Sequence, residues 1–179
     1  MMKQYDLLRD LCRQIHEDWI VNQKDWTEPG FRAIAVHRLG FWGWERSEGL
    51  LRSSVLLLYR VLWRYVRNHY GIEIPRSTVI GRRFRIAHQS GIVLHPHGHI
   101  GDDCIIRQNV TIGAVTWERF QDGPKIGHRV DIGAGAVILG KVTIGDGAKI
   151  GPNTVITTNV PAGATVFVEA PRMIQMKKC

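Results

Sequence analysis

The chain has 179 residues, 44% hydrophobic and 22% charged, with 24 Lys and Arg against 16 Asp and Glu, a net charge of +8 and a pI near 9.8. That length carries one compact domain, or one domain with a small helical addition, and that composition excludes a disordered or collagen-like chain. The basic surplus suggests an anionic partner, but no Lys/Arg-rich tract or nucleic-acid motif accompanies it, so nucleic acid is not expected.

Cys12, Cys104 and Cys179 are far apart and odd in number. They form neither a disulfide framework nor a CxxC pair, and a reducing cytoplasm is the expected setting. The charged N-terminus, MMKQYDLLRD, does not resemble a signal peptide.

Residues 3–21 read as a helix, with Leu7, Leu8, Leu11, Ile15 and Trp19 on one stripe. Asp25 to Gly30 breaks the pattern. Phe31 to Trp44 reads as a second helix and Leu50 to Tyr70 as a third, with Gly71 as its stop signal. The apolar run Val55 to Val66 is interrupted by Arg60 and Arg64 and is too short to span a bilayer. A peripheral contact of this basic helix with the inner face of a membrane stays open.

From Ile72 the period changes to six. Aliphatic residues fall at Leu94, Ile100, Ile106 and Ile112, and again at Ile126, Ile132, Ile138, Ile144, Ile150 and Ile156. Glycine follows directly at Gly101, Gly113, Gly127, Gly133, Gly145 and Gly151. A small or branched residue sits four places on, as at Cys104, Val110, Val130, Ala136, Val142, Ala148 and Thr154. Ile74, Ile80, Ile86 and Ile92 keep the period in a frame shifted by two. A hexapeptide repeat is the signature of a parallel β-helix, in which three short strands make one triangular coil of about 18 residues. The aliphatic residue points inward, and the glycine is expected where the turn needs a positive φ. Four to five coils are expected between residues 72 and 165. The gap from Ile112 to Ile126 is 14 residues where 12 would keep register, so 114–125 reads as a loop thrown out of the coil. The expected organisation is a helical region over 1–70, a mainly β, parallel β-helix over 71–165, and a tail over 166–179.

His95, His97 and His99 alternate in HPHGHI and would share the outer face of a strand. That spacing suggests a metal site, but an exposed or interface face is the plainer reading and no metal is expected. His128 reads as a solvated turn residue.

The segments GIEIPRSTVIGRRFRIAHQSGIVL, QNVTIG and PKIGHRVDIGAGAVILGKVTIGDGAKIGPNTVI resemble the serine acetyltransferase branch of the hexapeptide-repeat acyltransferases. PGFRAIAVHRLGFWGW is similar to the helix before the β-helix in that branch. The resemblance implies a left-handed β-helix, a homotrimer, and acetyl-CoA bound in clefts between neighbouring subunits. It places the catalytic histidine at His88 and its orienting carboxylate at Glu73, where the family usually has Asp. A histidine base is what a hydroxyl needs to attack a thioester, and the 15-residue separation suggests neighbouring rungs. A backbone N–H near Gly113 is the oxyanion candidate. The resemblance points to Gly113, Ala134, Lys149, Gly151 and Arg172 for acetyl-CoA, while Val168 stands where the closing motif has glycine.

Three departures bear on the acceptor. Ala87 replaces the Asp before His88, and Asp122-Gly123 replaces the Arg-His that precedes Pro124-Lys125. The loop offers Trp117, Arg119 and Phe120 instead. The short helical region resembles the exopolysaccharide and colanic-acid acetyltransferases. A sugar hydroxyl of an exopolysaccharide or its precursor is therefore the expected acceptor, contacted by Trp117, Arg119 and Phe120. Serine is the alternative, and a non-catalytic or zinc-dependent β-helix protein a second one.

Overall fold

A computed structural model describes residues 4–46 and 49–169, with side chains from residue 8 onward. Three helices come first: α1 (Gln4–Val21), α2 (Pro29–Trp44) and α3 (Leu50–Tyr70). α2 starts two residues before the expected Phe31, because Pro29 occupies its first turn, where a missing N–H costs nothing. Gly71 ends α3 in the left-handed region at φ 63°, its N–H on the Arg67 carbonyl. A Cβ on Gly40 would lie 2.3 Å from the Tyr59 ring, so glycine is what lets α2 and α3 approach.

Among the described residues fourteen strands of two or three residues follow, from β1 (Ile72–Glu73) to β14 (Thr165–Val166). They stack as three parallel sheets, β1-β4-β7-β10-β13, β2-β5-β8-β11 and β3-β6-β9-β12-β14, which are the faces of a left-handed β-helix. They are called the first, second and third face below. The aliphatic residues of the repeat form continuous inward ladders, such as Leu94, Ile112 and Ile138, all 1% exposed or less.

The register locates each break in the period. From β8 to β13 the coil repeats at 18 residues, as in Lys125↔Thr143 and Val137↔Val155. Ile72 pairs with Ile92, 20 residues on, so the first coil holds two extra residues. They lie at the corner 87–91, five residues between buried Ile86 and Ile92, where the coils above use three (107–109, 133–135, 151–153). His99 pairs with Lys125, 26 residues on, so the loop adds eight residues to a coil, not the two inferred from spacing. It spans 113–123, since Pro124 is already buried and Lys125 opens β8 (Lys125–Ile126).

The repeat glycines correct a second expectation. Gly101, Gly127, Gly133 and Gly145 are not among the positive-φ positions. Their role is close stacking: a Cβ would lie 2.6 Å from the Gly127 oxygen, 2.3 Å from Asp146 Oδ1, 2.6 Å from the Pro152 nitrogen and 2.3 Å from the Ala162 nitrogen, respectively. Positive φ falls instead two residues after a repeat glycine, at Asp103, Arg129, Gly135, Gly147 and Asn153, and at Asn109, two after Arg107 in the same place of the repeat.

The first coil has no coil beneath it, and the helices satisfy its open edge. Trp63 Nε1 donates to the Ile74 carbonyl at 3.1 Å and His37 Nε2 to that of Thr78 at 3.0 Å. Arg38 donates to the carbonyls of Ile80 and Gly81, 2.5 Å each. Asn22 Nδ2 donates to the Phe84 carbonyl at 3.1 Å, and the Phe84 N–H donates to Asp18 Oδ1 at 3.0 Å. A capped end of this kind is what a solenoid needs to avoid edge pairing. Arg38 and Asp18 form a buried ion pair at 2.8 Å, 5% and 0% exposed. Burial pushes the Asp18 carboxyl above its ordinary range, against the pull of Arg38.

Candidate active site

Three faces make three corners, and the expected site residues divide between two of them. The first lies between the third and first faces. Its backbone forms a column, in which Asn109 N–H donates to the Ser90 carbonyl, Gly135 to Gln108, and Asn153 to Ala134, at 2.9, 2.9 and 2.8 Å. His88 stands at the base of this column, exposed, on the five-residue corner 87–91. The extra length needs consecutive positive φ, 88° at Ser90 and 65° at Gly91. A Cβ on Gly91 would lie 2.2 Å from Asn109 Oδ1, so the bulged corner is pressed against the coil above.

Glu73, half-buried on β1, points outward from the first face. Its register partner is Val93, and His88 lies five residues before Val93, on the corner that leads into that strand. The N–H of Ile92 donates to the Gly71 carbonyl at 3.0 Å, which ties this corner to the start of β1. Glu73 and His88 are thus at one edge of the first face, at the start and the end of the first coil. No hydrogen bond joins them among the described residues.

Ala134 and Gly151 sit on the same corner, higher in the column. A Cβ on Gly151 would meet Phe167 Cβ at 3.0 Å. Lys149 is exposed on the third face beside it, in register with Asp131 and Thr165. Arg107, which the spacing argument did not single out, stands on this corner between His88 and Ala134. It pairs with Asp131 and donates to the Ile132 carbonyl at 3.2 Å. Arg172 lies outside the described residues, as does the tail from 170, while Val168 is exposed.

The second corner lies between the first and second faces and carries the loop. Phe120 packs on His95 at 4.7 Å and on His97 at 5.8 Å, and Trp117 stacks on Phe120 at 5.6 Å. A Cβ on Gly140 would reach Val115 at 2.8 Å, so the loop folds against its own corner. Trp117 is 85% exposed, and Arg119 is exposed beside it. With His95 and Ala114 to Thr116, the two aromatics line a cavity of about 230 Å³. Gly123 has no room for a side chain, since a Cβ would lie 2.1 Å from the His97 carbonyl oxygen.

Gly113 is on this second corner too, its carbonyl accepting from Gly140 at 2.9 Å. A Cβ there would meet nothing nearer than Leu139 at 3.4 Å, so packing alone does not demand glycine. Within one chain Gly113 and His88 stand at opposite edges of the first face, and the expected oxyanion donor does not reach the expected base.

The histidine triplet does not share an outer face. His95 is 5% exposed beneath Phe120, while His97 and His99 are exposed. The corner after β4 turns His95 inward, and only His99 lies on a strand, β5 (His99–Ile100). His95 Nδ1 accepts the His97 backbone N–H at 3.2 Å, which leaves the proton on Nε2, buried and without a partner. Burial, with the His97 charge adding to it, holds this imidazole below the ordinary histidine range. No cluster of three His, Cys, Asp or Glu able to hold a metal occurs among the described residues. Nor is His128 simply solvated, since its Nδ1 accepts the Asp102 N–H at 3.0 Å.

Residues 123–158 match the family model described as bacterial transferase hexapeptide (six repeats). The chain is 37% identical over 138 residues to a serine acetyltransferase of Mycobacterium tuberculosis, covering 77% of this chain and 57% of that one. It is 34% identical over 164 residues to a serine acetyltransferase of Helicobacter pylori, covering 89% and 91%. The chain therefore spans little more than half of some relatives and nearly all of others. Among solved structures, it superimposes on serine acetyltransferase isoform 3 of Entamoeba histolytica in complex with cysteine, with a TM-score of 0.78, 29% identity, and 94% and 62% coverage. The Neisseria gonorrhoeae serine acetyltransferase in complex with serine gives 0.74, 26%, and 91% and 68%. These relatives overturn the expected sugar acceptor and the likeness to exopolysaccharide acetyltransferases. The helical region is short only against the longer relatives, and the Helicobacter pylori enzyme matches nearly end to end. By its match along almost the whole of that relative, and by its stacked hexapeptide coils, this chain belongs to the serine acetyltransferase family of hexapeptide-repeat transferases.

Proposed function

We propose that this protein is a serine O-acetyltransferase, moving acetyl from acetyl-CoA to the hydroxyl of L-serine. The observation that carries the reading is the 34% identity over 91% of a serine acetyltransferase. His88 takes the hydroxyl proton as the serine oxygen attacks the thioester carbonyl. The tetrahedral intermediate collapses, the CoA thiolate leaves, and the proton returns to it from His88. Glu73, at the same edge, orients the imidazole and stabilises its charged form.

Acetyl-CoA lies along the corner column that begins at His88. The small residues Ala134 and Gly151 leave room for the pantetheine arm, and Lys149 and Arg172 meet phosphates. Exposed Lys149 beside Gly151 suits an elongated, phosphate-bearing ligand. The working unit is a homotrimer. The loop and His88 occupy opposite edges of the first face, and Val93 and Val155 on that face are 42% and 62% exposed. A neighbouring copy therefore brings its loop corner to His88, with the Gly113 N–H as oxyanion donor. With Ala87 and Asp122-Gly123 in place of charged residues, the serine carboxylate falls to Arg119, and Trp117 and Phe120 cover the acceptor.

The test is thiol release from acetyl-CoA with L-serine, beside a His88→Ala control. Serine-dependent release that disappears in the control is the expected result. No release with serine, in protein that binds acetyl-CoA, overturns the reading.

A further inference from the structure

α3 presents apolar residues to solvent as well as to the protein. Tyr59 and Val66 are buried against the rest of the chain. On the solvent-facing side Leu50, Leu51, Leu57, Leu58, Val61 and Tyr65 are 90, 51, 62, 50, 61 and 48% exposed. Leu57 and Leu58 lie seven residues, about two turns, after Leu50 and Leu51, and steps of three and four lead on to Val61 and Tyr65, which gathers all six into one stripe along the helix. Arg60 and Arg64, both exposed, run along one edge of it, and α3 has four Arg and no Asp or Glu. Beside the stripe a groove of about 340 Å³ opens between α2 and α3, lined in part by Leu62, Tyr65 and Trp26, the last 61% exposed.

An exposed leucine stripe on a surface helix marks an interaction site, and the charge pattern selects the partner. A second copy packed face to face would set Arg60 and Arg64 against a helix with no carboxylate. An anionic lipid surface supplies the missing charge. Its headgroups take the guanidinium groups, whose stems lie along the apolar surface, and its acyl boundary takes the leucines. Trp26 and Tyr65 add amphipathic rings of the kind enriched at that depth. No helix is long and apolar enough to cross a membrane among the described residues, so α3 would lie in the interface plane.

We propose that α3 is a peripheral docking helix for anionic membranes, with Leu57, Leu58 and Val61 inserted and Arg60 and Arg64 on lipid phosphates. This surface is independent of the acceptor and of the His88 corner.

The experiment is co-sedimentation of the full chain with phosphatidylcholine vesicles, with and without about one third phosphatidylglycerol. Partition at least about tenfold stronger onto the anionic vesicles, weakened by salt, is expected. Leu57→Asp with Val61→Asp abolishes it, and Arg60→Glu with Arg64→Glu removes the preference for anionic lipid. Circular dichroism and the transfer of acetyl to soluble acceptor stay unchanged in both variants. Equal partition onto the two vesicle types overturns the proposal, as does binding that survives Leu57→Asp with Val61→Asp. So does an oligomer in analytical ultracentrifugation that this double variant dissolves while vesicles go unbound, since the stripe then covers another copy.

Discussion

Two corners of the β-helix depart from the 18-residue coil, and they depart differently. The corner of His88 gains two residues, absorbs them in consecutive positive φ at Ser90 and Gly91, and leaves the imidazole exposed. The loop corner gains eight and folds back on itself through Phe120, His95 and Val115. Elsewhere, close glycine stacking makes a longer corner costly, because each coil rests on the next at van der Waals distance. Departures from the period are therefore where this scaffold can carry chemistry. In the proposed function the short one offers the reactive group, and the long one of a neighbouring copy the surface that closes over it.

The strongest way to break that division is at His88. His88→Ala is expected to lower turnover by about 10²–10⁴-fold with little change in melting temperature, the loss typical of a general base. A normal rate would move the chemistry away from this corner. Replacing residues 113–123 by a three-residue corner like 139–141 should leave the β-helix folded. It should lower kcat/KM for serine by at least about 100-fold, ~2.7 kcal/mol, while acetyl-CoA affinity, measured by calorimetry, holds. Unchanged serine kinetics would make the loop a structural ornament. Glu73→Gln should cost about tenfold in kcat, ~1.4 kcal/mol, with Glu73→Asp restoring most of it. A positioning carboxylate moves kcat and its acidic pH limb, whereas a merely structural one moves stability alone.

The smallest effect concerns His95. Its pKa is lowered in the folded chain, so the unfolded chain takes up a proton that the folded one refuses. Stability is full above about pH 6.5 and declines as the pH falls below it, by at most about 1.4 kcal/mol per unit. The loop corner is expected to loosen there first. Urea unfolding of the wild type and of His95→Gln at pH 7 and pH 5 should show a shallower acid loss in the variant. His37, pushed down to about 3 by burial, adds a slope of the same sign in both and cancels from the comparison.

The period of six was legible because it is local. An aliphatic residue every sixth place, a glycine after it and a small residue four on follow from the geometry of one coil, and repetition made the pattern unmistakable. The three helices were legible for the same reason. The two-residue frame shift was also visible, but its place was not: Ile92 and Leu94 are both buried on β4, and only strand register shows that the surplus lies at 87–91. The role of the repeat glycines is not legible in the repeat, because close approach between coils is a contact between distant residues, unlike a local φ requirement. Alternation places His95 outward, but alternation holds within a strand and fails at a corner. Ala87, Asp122 and Gly123 point away from serine, and likeness over 89% of the chain to a serine acetyltransferase outweighs them.

By itself, then, the sequence determined the architecture and the number of coils, which rest on periodicity, while the candidacy of His88 and Glu73 rests on the family resemblance of the motifs that hold them. Only the tertiary structure decided which edge each candidate occupies. It set Gly113 and the loop across the first face from His88, gave the helices the task of satisfying the open end of the first coil, and left the leucine stripe of α3 in solvent. Edges, caps and exposed faces depend on which distant segments meet, and a repeat is silent about what lies beyond its own period.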